Sequence, residues 1–310
     1  MAPYYYSVFG VTLASDFEFE VLDAVDPSVD DDPVRVLRTE GICPETRPDH
    51  DPYLDIQPDR QFFHWNAVGT FIIDDPSTVR VQPQDGVTDH LLSQAFLGLV
   101  ISLVLERRGV LCLHASAVSV SGRAALFLGD KGAGKSTTNA ALLARGHVPI
   151  TDDLVAVGGV LQDVPAPVIW PGFSSMKLWP DTVEALELGQ DAADRLIHPS
   201  VTKVQKRMPS PIAEDPVAMG AVFVLRRGPD VPEPSVVRRP AHEALQMVLR
   251  YTFMARYGET RLGRDHLAQH MKRCGAIVAH TPVYDLLVPE DFSQLGAVAE
   301  TIEQVLRDGA

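Results

Sequence analysis

A chain of 310 residues is long enough for one large domain or two of ordinary size, and 45% hydrophobic with 22% charged residues is the balance of a globular protein. A formal charge of −14 argues against nucleic acid as a partner, because a polyanion needs a basic surface. No run of eighteen apolar residues occurs, so no membrane span is expected; the longest apolar run, AFLGLVISLVL, reads as a buried helix.

The N-terminus, MAPYYYSVFG, has no basic region followed by an apolar core and does not read as a signal peptide. Cys43, Cys112 and Cys274 are widely spaced, form no metal-ligand pattern and suit a reducing compartment, so a cytoplasmic location is expected. The charge is uneven along the chain. Residues 1–100 carry 18 Asp and Glu against 5 Lys and Arg, whereas residues 195–273 carry 14 Lys and Arg against 7 Asp and Glu. The basic stretch reads either as solvated surface or as a face toward phosphates or an acidic partner.

In chain order, YYYSVFGVTL, PVRVLRT, FFHWNAVGTFII and TVRVQP read as short strands separated by Asp/Pro clusters, which makes residues 1–88 a small, acidic, β-rich module. From Asp89 to Arg107 the apolar residues recur at helical spacing, with Asp89 as the expected cap and an end near Gly109. VLCLHASAVSV, the turn SG and RAALFLG then read as a β-hairpin. A helix follows from about Lys135 to Arg145, closed by Gly146, and VPITDDLVAV reads as one further buried strand. VPAPVIWPGFSSMKLWPD reads as loop with short strands, MGAVFVLRRG as a strand, AHEALQMVLRYTFMARYG and RLGRDHLAQHMKRCG as helices, PVYDLLVP as a strand, and the C-terminal stretch as a helix. The alternation from residue 110 onward implies an α/β core over residues 89–310.

Between the hairpin and its helix lies GDKGAGKS, which fits G-x-x-x-x-G-K-[ST]. Gly129, Asp130, Lys131, Gly132, Ala133, Gly134, Lys135, Ser136 and Thr137 are therefore the expected nucleotide-phosphate site. The glycines let successive backbone N–H groups turn inward, the helix N-terminus adds partial positive charge, Lys135 reaches the terminal phosphates and Ser136 ligates Mg²⁺. Lys131 is a second cation, placed either on phosphate or in solvent. Seventeen residues after Lys135 come Asp152 and Asp153, at the end of the expected strand. Neighbouring carboxylates on a strand point to opposite faces, so one is expected toward the phosphates and the other toward metal or the strand's far side. His114, in an apolar strand, reads either as a satisfied core residue or as a functional one. Lys177, Lys203, Lys206 and Arg207 are candidate cations for the transferred phosphoryl group, with solvated surface as the alternative for each.

The stretch LHASAVSVSGRAALFLGDKGAGKSTTNAALLARGHVPITDDLVAV, with His114 fifteen residues ahead of the glycine loop, the RGH at the helix end and the Asp pair, resembles the core of HPr kinase/phosphorylase. The flanks are similar in layout to HPr-kinase-like proteins of peptide-modifying systems such as lasso peptide biosynthesis. The resemblance implies an ATP- and Mg²⁺-dependent serine kinase with an α/β phosphate-loop core and a smaller β-rich N-terminal module. It implies catalytic roles for Asp152, His114 and Lys135, with Asp152 accepting or orienting the proton of the acceptor hydroxyl, and metal roles for Ser136 and Asp153. It implies as partner a peptide or small protein carrying a serine. One departure stands out. The family's glycine-rich E-[IV]-R-G-x-G segment after the Asp pair supplies a metal-binding glutamate; here VIWPGFSSMKLW offers no acidic residue before Asp181. The residues themselves reach only a phosphate-loop nucleotide binder with a nearby carboxylate. A nucleotide-dependent regulatory switch and a small-metabolite kinase stay open beside the serine kinase, as do a single chain and a homo-oligomer.

Overall fold

The structure, a computed structural model, describes residues 3–27, 32–44, 50–57, 59–159, 166–189, 195–198, 201–208, 212–257 and 264–309. It is mixed α/β and divides into two compact units, Met1–Cys112 with Phe253–Ala268, and Leu113–Thr252 with Gln269–Ala310.

The first unit is built on a sheet of β1 (Tyr4–Val8), β2 (Val11–Ser15), β3 (Val34–Arg38), β4 (Tyr53–Ile56), β5 (Gln61–Trp65), β6 (Gly69–Asp75) and β7 (Thr78–Pro83), in the order β1-β2-β3-β7-β6-β5-β4. The acidic segment is strands as expected, but YYYSVFGVTL and FFHWNAVGTFII are each a hairpin of two strands rather than one, and YLDI, missed in the sequence, adds β4 at the edge. Phe9 and Gly10, both at positive φ, make the two-residue turn between β1 and β2, whose backbone twist matches that of the strands. The apolar segment that follows is α1 (Asp89–Ala95), a π-helical turn (Phe96–Val100) and α2 (Ile101–Arg107). Its cap is Thr88 rather than Asp89: the Thr88 hydroxyl accepts from the Leu91 N–H, and Asp89 lies in the first turn, where its charge suits the helix dipole. By length and composition Asp89–Arg107 suffices to cross a membrane, with mean hydropathy 1.4, and 67% of that window is buried in the protein. The compact units fall differently from a division at residue 88 because this helical segment packs with the first sheet. Phe96 stacks on Phe19 at 4.9 Å, and Arg107 donates to the backbone carbonyl oxygens of Ile73 and Asp74.

β8 (Leu111–Leu113) leads into the second unit. There β9 (Ser116–Val120) and β10 (Arg123–Leu128) form the expected hairpin, turned by Ser121 and Gly122 at positive φ. α3 (Lys135–Ala144) follows, and Gly146 at φ 90° ends it. VPITDDLVAV is two strands, β11 (Val148–Thr151) and β12 (Val155–Gly158), rather than one. The Asp pair breaks it, since Asp153 is left-handed at φ 73°. Then come β13 (Val168–Trp170), β14 (Ser175–Leu178), α4 (Pro180–Ala185), β15 (Arg195–His198), β16 (Val201–Arg207), β17 (Val217–Gly228), β18 (Ser235–Arg238), α5 (Ala241–Arg250), α6 (Arg264–His280), β19 (Val283–Pro289) and α7 (Leu295–Asp308).

The strand β10 runs parallel to β17, and β17 parallel to β19. Phe127 on β10, Phe223 on β17 and Leu286 on β19 form one apolar surface with Leu142 of α3 and Val298, Ala299, Ile302 and Leu306 of α7. The α7 residues recur at helical spacing, so one stripe faces the sheet. The loop 129–134 therefore leaves the C-terminal end of a buried parallel strand, where open α/β sheets place their ligands. A second small sheet, β14-β16-β15, contains strands that the sequence reading did not assign.

Candidate functional site

The site begins where β10 ends. Gly132 (φ 89°) and Gly134 (φ 98°) hold backbone angles that side chains disfavour, and Gly134 is the N-cap of α3. A Cβ on Gly129 would stand 2.8 Å from the Ala133 Cβ, so the loop's two shoulders close only around a glycine. Lys135 turns back across this loop and its Nζ donates to the Gly129 carbonyl oxygen at 2.7 Å. Asp130 and Lys131 are exposed on the loop, and Thr137, one turn into the helix, lies 3.1 Å from the Thr182 hydroxyl of α4.

Asp152 is the buried centre of the site, 3% exposed. Its Oδ1 accepts from Ser116 of β9 at 2.6 Å and from Ser136 of α3 at 3.0 Å, and its Oδ2 accepts from the Lys177 N–H at 3.1 Å. Burial is the largest influence on this carboxyl and raises its pKa above the ordinary range. The neighbouring Asp153 charge acts in the same direction, against the three hydrogen bonds, which favour the ionised form.

Asp153 sits differently. Its side chain is 48% exposed, and Lys177 Nζ donates to its Oδ2 at 3.1 Å. His114 Nδ1 donates to its backbone oxygen at 3.0 Å and lies 3.6 Å from its Oδ1. Burial of the carboxylate opposes ionisation, but Lys177, His114 and Lys203 together outweigh it and hold the pKa well below the usual carboxylate range. Water reaches this group, so the ion pair is partly screened.

The structure therefore brings Lys135, Ser136, Asp152, Asp153, His114 and Lys177 around one end of β10. It groups Ser136 with Asp152, and Asp153 with Lys177 and His114. His114 lies in the break between β8 and β9, not within a strand. Lys206 is not part of this group. Its register partner is Met176, whereas Lys177 pairs with Gln205, so Lys206 faces the other side of the small sheet and its Nζ donates to the Gly189 oxygen. Arg207 shares the Lys177 face, opposite Ser175. Lys203, on that face as well, lies 5.4 Å from the Trp179 ring and adds to the positive field on Asp153.

Sequence reasoning missed Ser116, Thr182 and the pair Arg250 and Tyr251, which reach Asp130. The polar Ser116 in a buried strand two residues after His114 was the available signal; nothing local marked the others. Among the described residues no group of three or more His, Cys, Asp or Glu side chains is arranged to hold a metal. Ser136 and Asp152 are the oxygen donors placed together that would fit Mg²⁺, a set that suits an ion whose other ligands are phosphates and waters, whereas Asp153, expected from the resemblance to serve the metal, faces Lys177 and His114.

No family model matches the chain. Curated HPr kinase/phosphorylases are 44% identical to it: that of Limosilactobacillus reuteri (strain DSM 20016) over 69 residues, 22% of each chain, and that of Clostridium botulinum (strain Eklund 17B / Type B) over 71 residues, 23% of this chain and 22% of the relative. The chain thus matches about a fifth of the length of those relatives, 22% in each case. A solved HPr(Ser) kinase/phosphatase from Coxiella burnetii aligns with 64% of this chain and 94% of its own at 14% identity and a TM-score of 0.31. By the stretch of sequence that it shares with those curated enzymes, the chain is HPr-kinase-like.

Proposed function

We propose that this protein is an ATP- and Mg²⁺-dependent kinase that phosphorylates a serine hydroxyl on a peptide or small protein, with residues 129–137 as its phosphate loop. The observation that carries the reading is the bond from Ser136, first turn of the helix after the glycine loop, to the buried Asp152. A hydroxyl at the loop's end backed by a carboxylate is the arrangement that holds Mg²⁺ against nucleotide phosphates. When bound, the nucleotide supplies the phosphoryl group and the metal neutralises its charge.

The remaining roles belong to the chain. The backbone N–H groups of the loop bind phosphate oxygens, and the Lys135 ammonium exchanges the Gly129 carbonyl for them. Asp152 is the stronger base of the pair, because burial raises its proton affinity whereas Lys177, His114 and Lys203 depress that of Asp153. We assign to Asp152 the orientation of the acceptor hydroxyl and receipt of its proton. To Asp153 we assign the positioning of Lys177 and His114. Transfer through a loose transition state needs alignment above all, and the hydrogen bonds on Asp152 fix its carboxylate plane.

The acceptor follows from the kinship with enzymes named HPr kinase/phosphorylase, and the layout of the flanks favours a ribosomal peptide precursor such as a lasso peptide. The reading also places the protein in the cytoplasm, with a β-rich accessory module in its first hundred residues. The test is mass spectrometry of serine-containing precursor peptides encoded beside the gene, after incubation with the protein, ATP and Mg²⁺. A gain of one phosphate on serine is expected. Phosphate release that ignores every peptide would instead mark a nucleotide switch.

A further inference from the structure

The loop carries an acidic residue, Asp130, beside the place proposed for a polyanion. Uncompensated, that charge would repel phosphate. It is held by two groups at the C-terminal end of α5: Arg250 Nη2 donates to both carboxylate oxygens, at 3.1 and 3.0 Å, and the Tyr251 hydroxyl donates to Oδ1 at 3.1 Å. Both charged side chains are mainly exposed, Arg250 at 57% and Asp130 at 66%, so the pair sits at the lip of the loop and not in the core. Arg250 makes no other hydrogen bond to the described residues through its Nε and Nη1 groups.

Tyr251 differs from Arg250. It is buried, and its backbone oxygen accepts from the His114 N–H at 2.7 Å. Burial, then the Asp130 charge, raise its pKa, so the hydroxyl stays a donor. One residue thereby ties the phosphate loop to the backbone of His114, and it fixes where the adjacent Arg250 stands.

We infer that Arg250 is a phosphate-recognising arginine supplied by α5, stored on Asp130 in the free protein and transferred to the terminal phosphates of a bound nucleotide. This rests on the phosphate-loop reading above. An exposed, partly screened ion pair costs little to break, and guanidinium binds phosphate bidentately through donors that Asp130 leaves unused. Asp130 then acts as a competitor for Arg250, which gives its removal a sign that a structural clamp would not.

The experiment measures binding of a fluorescent ATP analogue and of AMP to the full chain, with thermal unfolding recorded alongside. Arg250→Ala should weaken the ATP analogue by about tenfold, the value of one charge-assisted hydrogen bond, and leave AMP unchanged. Arg250→Gln, which keeps the stem, should behave as Arg250→Ala. Asp130→Asn should do the opposite and tighten the ATP analogue, because it removes a negative charge and releases Arg250. If Asp130→Asn and Arg250→Ala both weaken binding and lower the unfolding temperature together, the contact is a structural clamp and the inference is wrong. Unchanged ATP affinity in Arg250→Ala overturns it too. Lys135→Ala separates the two levels: if that variant binds the ATP analogue as the wild type does, the phosphate-loop reading fails, whatever Arg250 does.

Discussion

Asp152→Asn isolates the chemistry from the scaffold. The amide keeps the carboxylate's size, and its oxygen can still accept from Ser116 and Ser136. Its nitrogen then replaces Oδ2 and faces the Lys177 N–H, so two donors meet where a bond of 3.1 Å stood. That lost buried bond costs about 1–3 kcal/mol. Against it stands the relief of a desolvated charge, the main cause of the raised Asp152 pKa. The two effects oppose each other, and the fold should survive. The transfer rate should not: losing a positioned base lowers it by about 10²–10⁴-fold, or roughly 3–5 kcal/mol of barrier. Affinity for an ATP analogue measured without Mg²⁺ should stay within about threefold, the change from an interaction worth less than 1 kcal/mol, because Asp152 bonds no backbone of the loop 129–134 and reaches the phosphates only through the metal.

The assay is phosphoserine formation on a peptide acceptor under saturating ATP and Mg²⁺, with Asp153→Asn in parallel. Asp153 is half exposed, so its loss removes one screened ion pair and should cost less than about tenfold in rate. The pH profiles carry the same distinction. The ionised base is the active form, so the wild-type rate should fall as pH drops through the raised Asp152 pKa, and the Asn variant should lack that limb. Stability moves with opposite signs at the two positions. The Asp152 pKa is raised in the folded state, so its stabilising contribution is present below the unfolded value and is lost as pH rises through the folded value. The Asp153 pKa is depressed, so its contribution is present above the unfolded value and is lost as pH falls toward the folded value. If Asp153→Asn abolishes transfer and Asp152→Asn retains it, the roles are reversed. If neither matters, the acceptor hydroxyl is not activated here at all.

Two further predictions concern the frame around the site. Glu303 on α7 accepts from Arg145 Nε at 2.8 Å and from His147 Nε2 at 2.9 Å, and chiefly the Arg145 bond holds its pKa down to about 2. Glu303→Gln should therefore cost about 2 kcal/mol after allowance for solvent screening, seen as a fall of roughly 4–8 °C in the unfolding midpoint. The loss should shrink as pH falls from the ordinary glutamate value toward 2, where the wild type forfeits the same interaction; an undiminished difference at low pH would contradict it. Gly134→Ala places a side chain at φ 98° on the N-cap of α3, a strain of about 1–3 kcal/mol. The space around it is open, with the nearest atom, on Leu225, at 3.9 Å. The variant should thus fold and lose nucleotide affinity, measured by titration, through a distorted loop; wild-type affinity would show that this conformation is not needed.

The strands and the loop were legible because their signals are local. Alternation gives β3 and β7, positive-φ turn residues give the β9–β10 hairpin, and GDKGAGKS sits between a strand and a helix with Gly146 closing it. The small sheet of β14, β15 and β16 was not legible. SMKL and VQKR pair across an interval of Pro, Gly and charged residues, and pairing at such separation leaves no periodic trace in either segment alone. The face assignment of its lysines, which puts Lys177 on Asp153 and sends Lys206 to Gly189, depends on that register.

The Asp pair shows the limit most directly. Strand alternation sends neighbouring carboxylates to opposite faces, and they do meet different partners. The cause is another one. The left-handed Asp153 ends β11, so Asp152 stays with the buried strand layer while Asp153 turns into the cations of the small sheet and the break at His114. A sequence of two aspartates cannot announce which will be buried, because the groups that bond the buried Asp152, Ser116, Ser136 and the Lys177 backbone, are spread over more than sixty residues of chain. Asp130 and Arg250 are further apart still, by 120 residues. The glycine loop is written in one octet, but the groups that tune its charge come from elements folded against it from far along the chain.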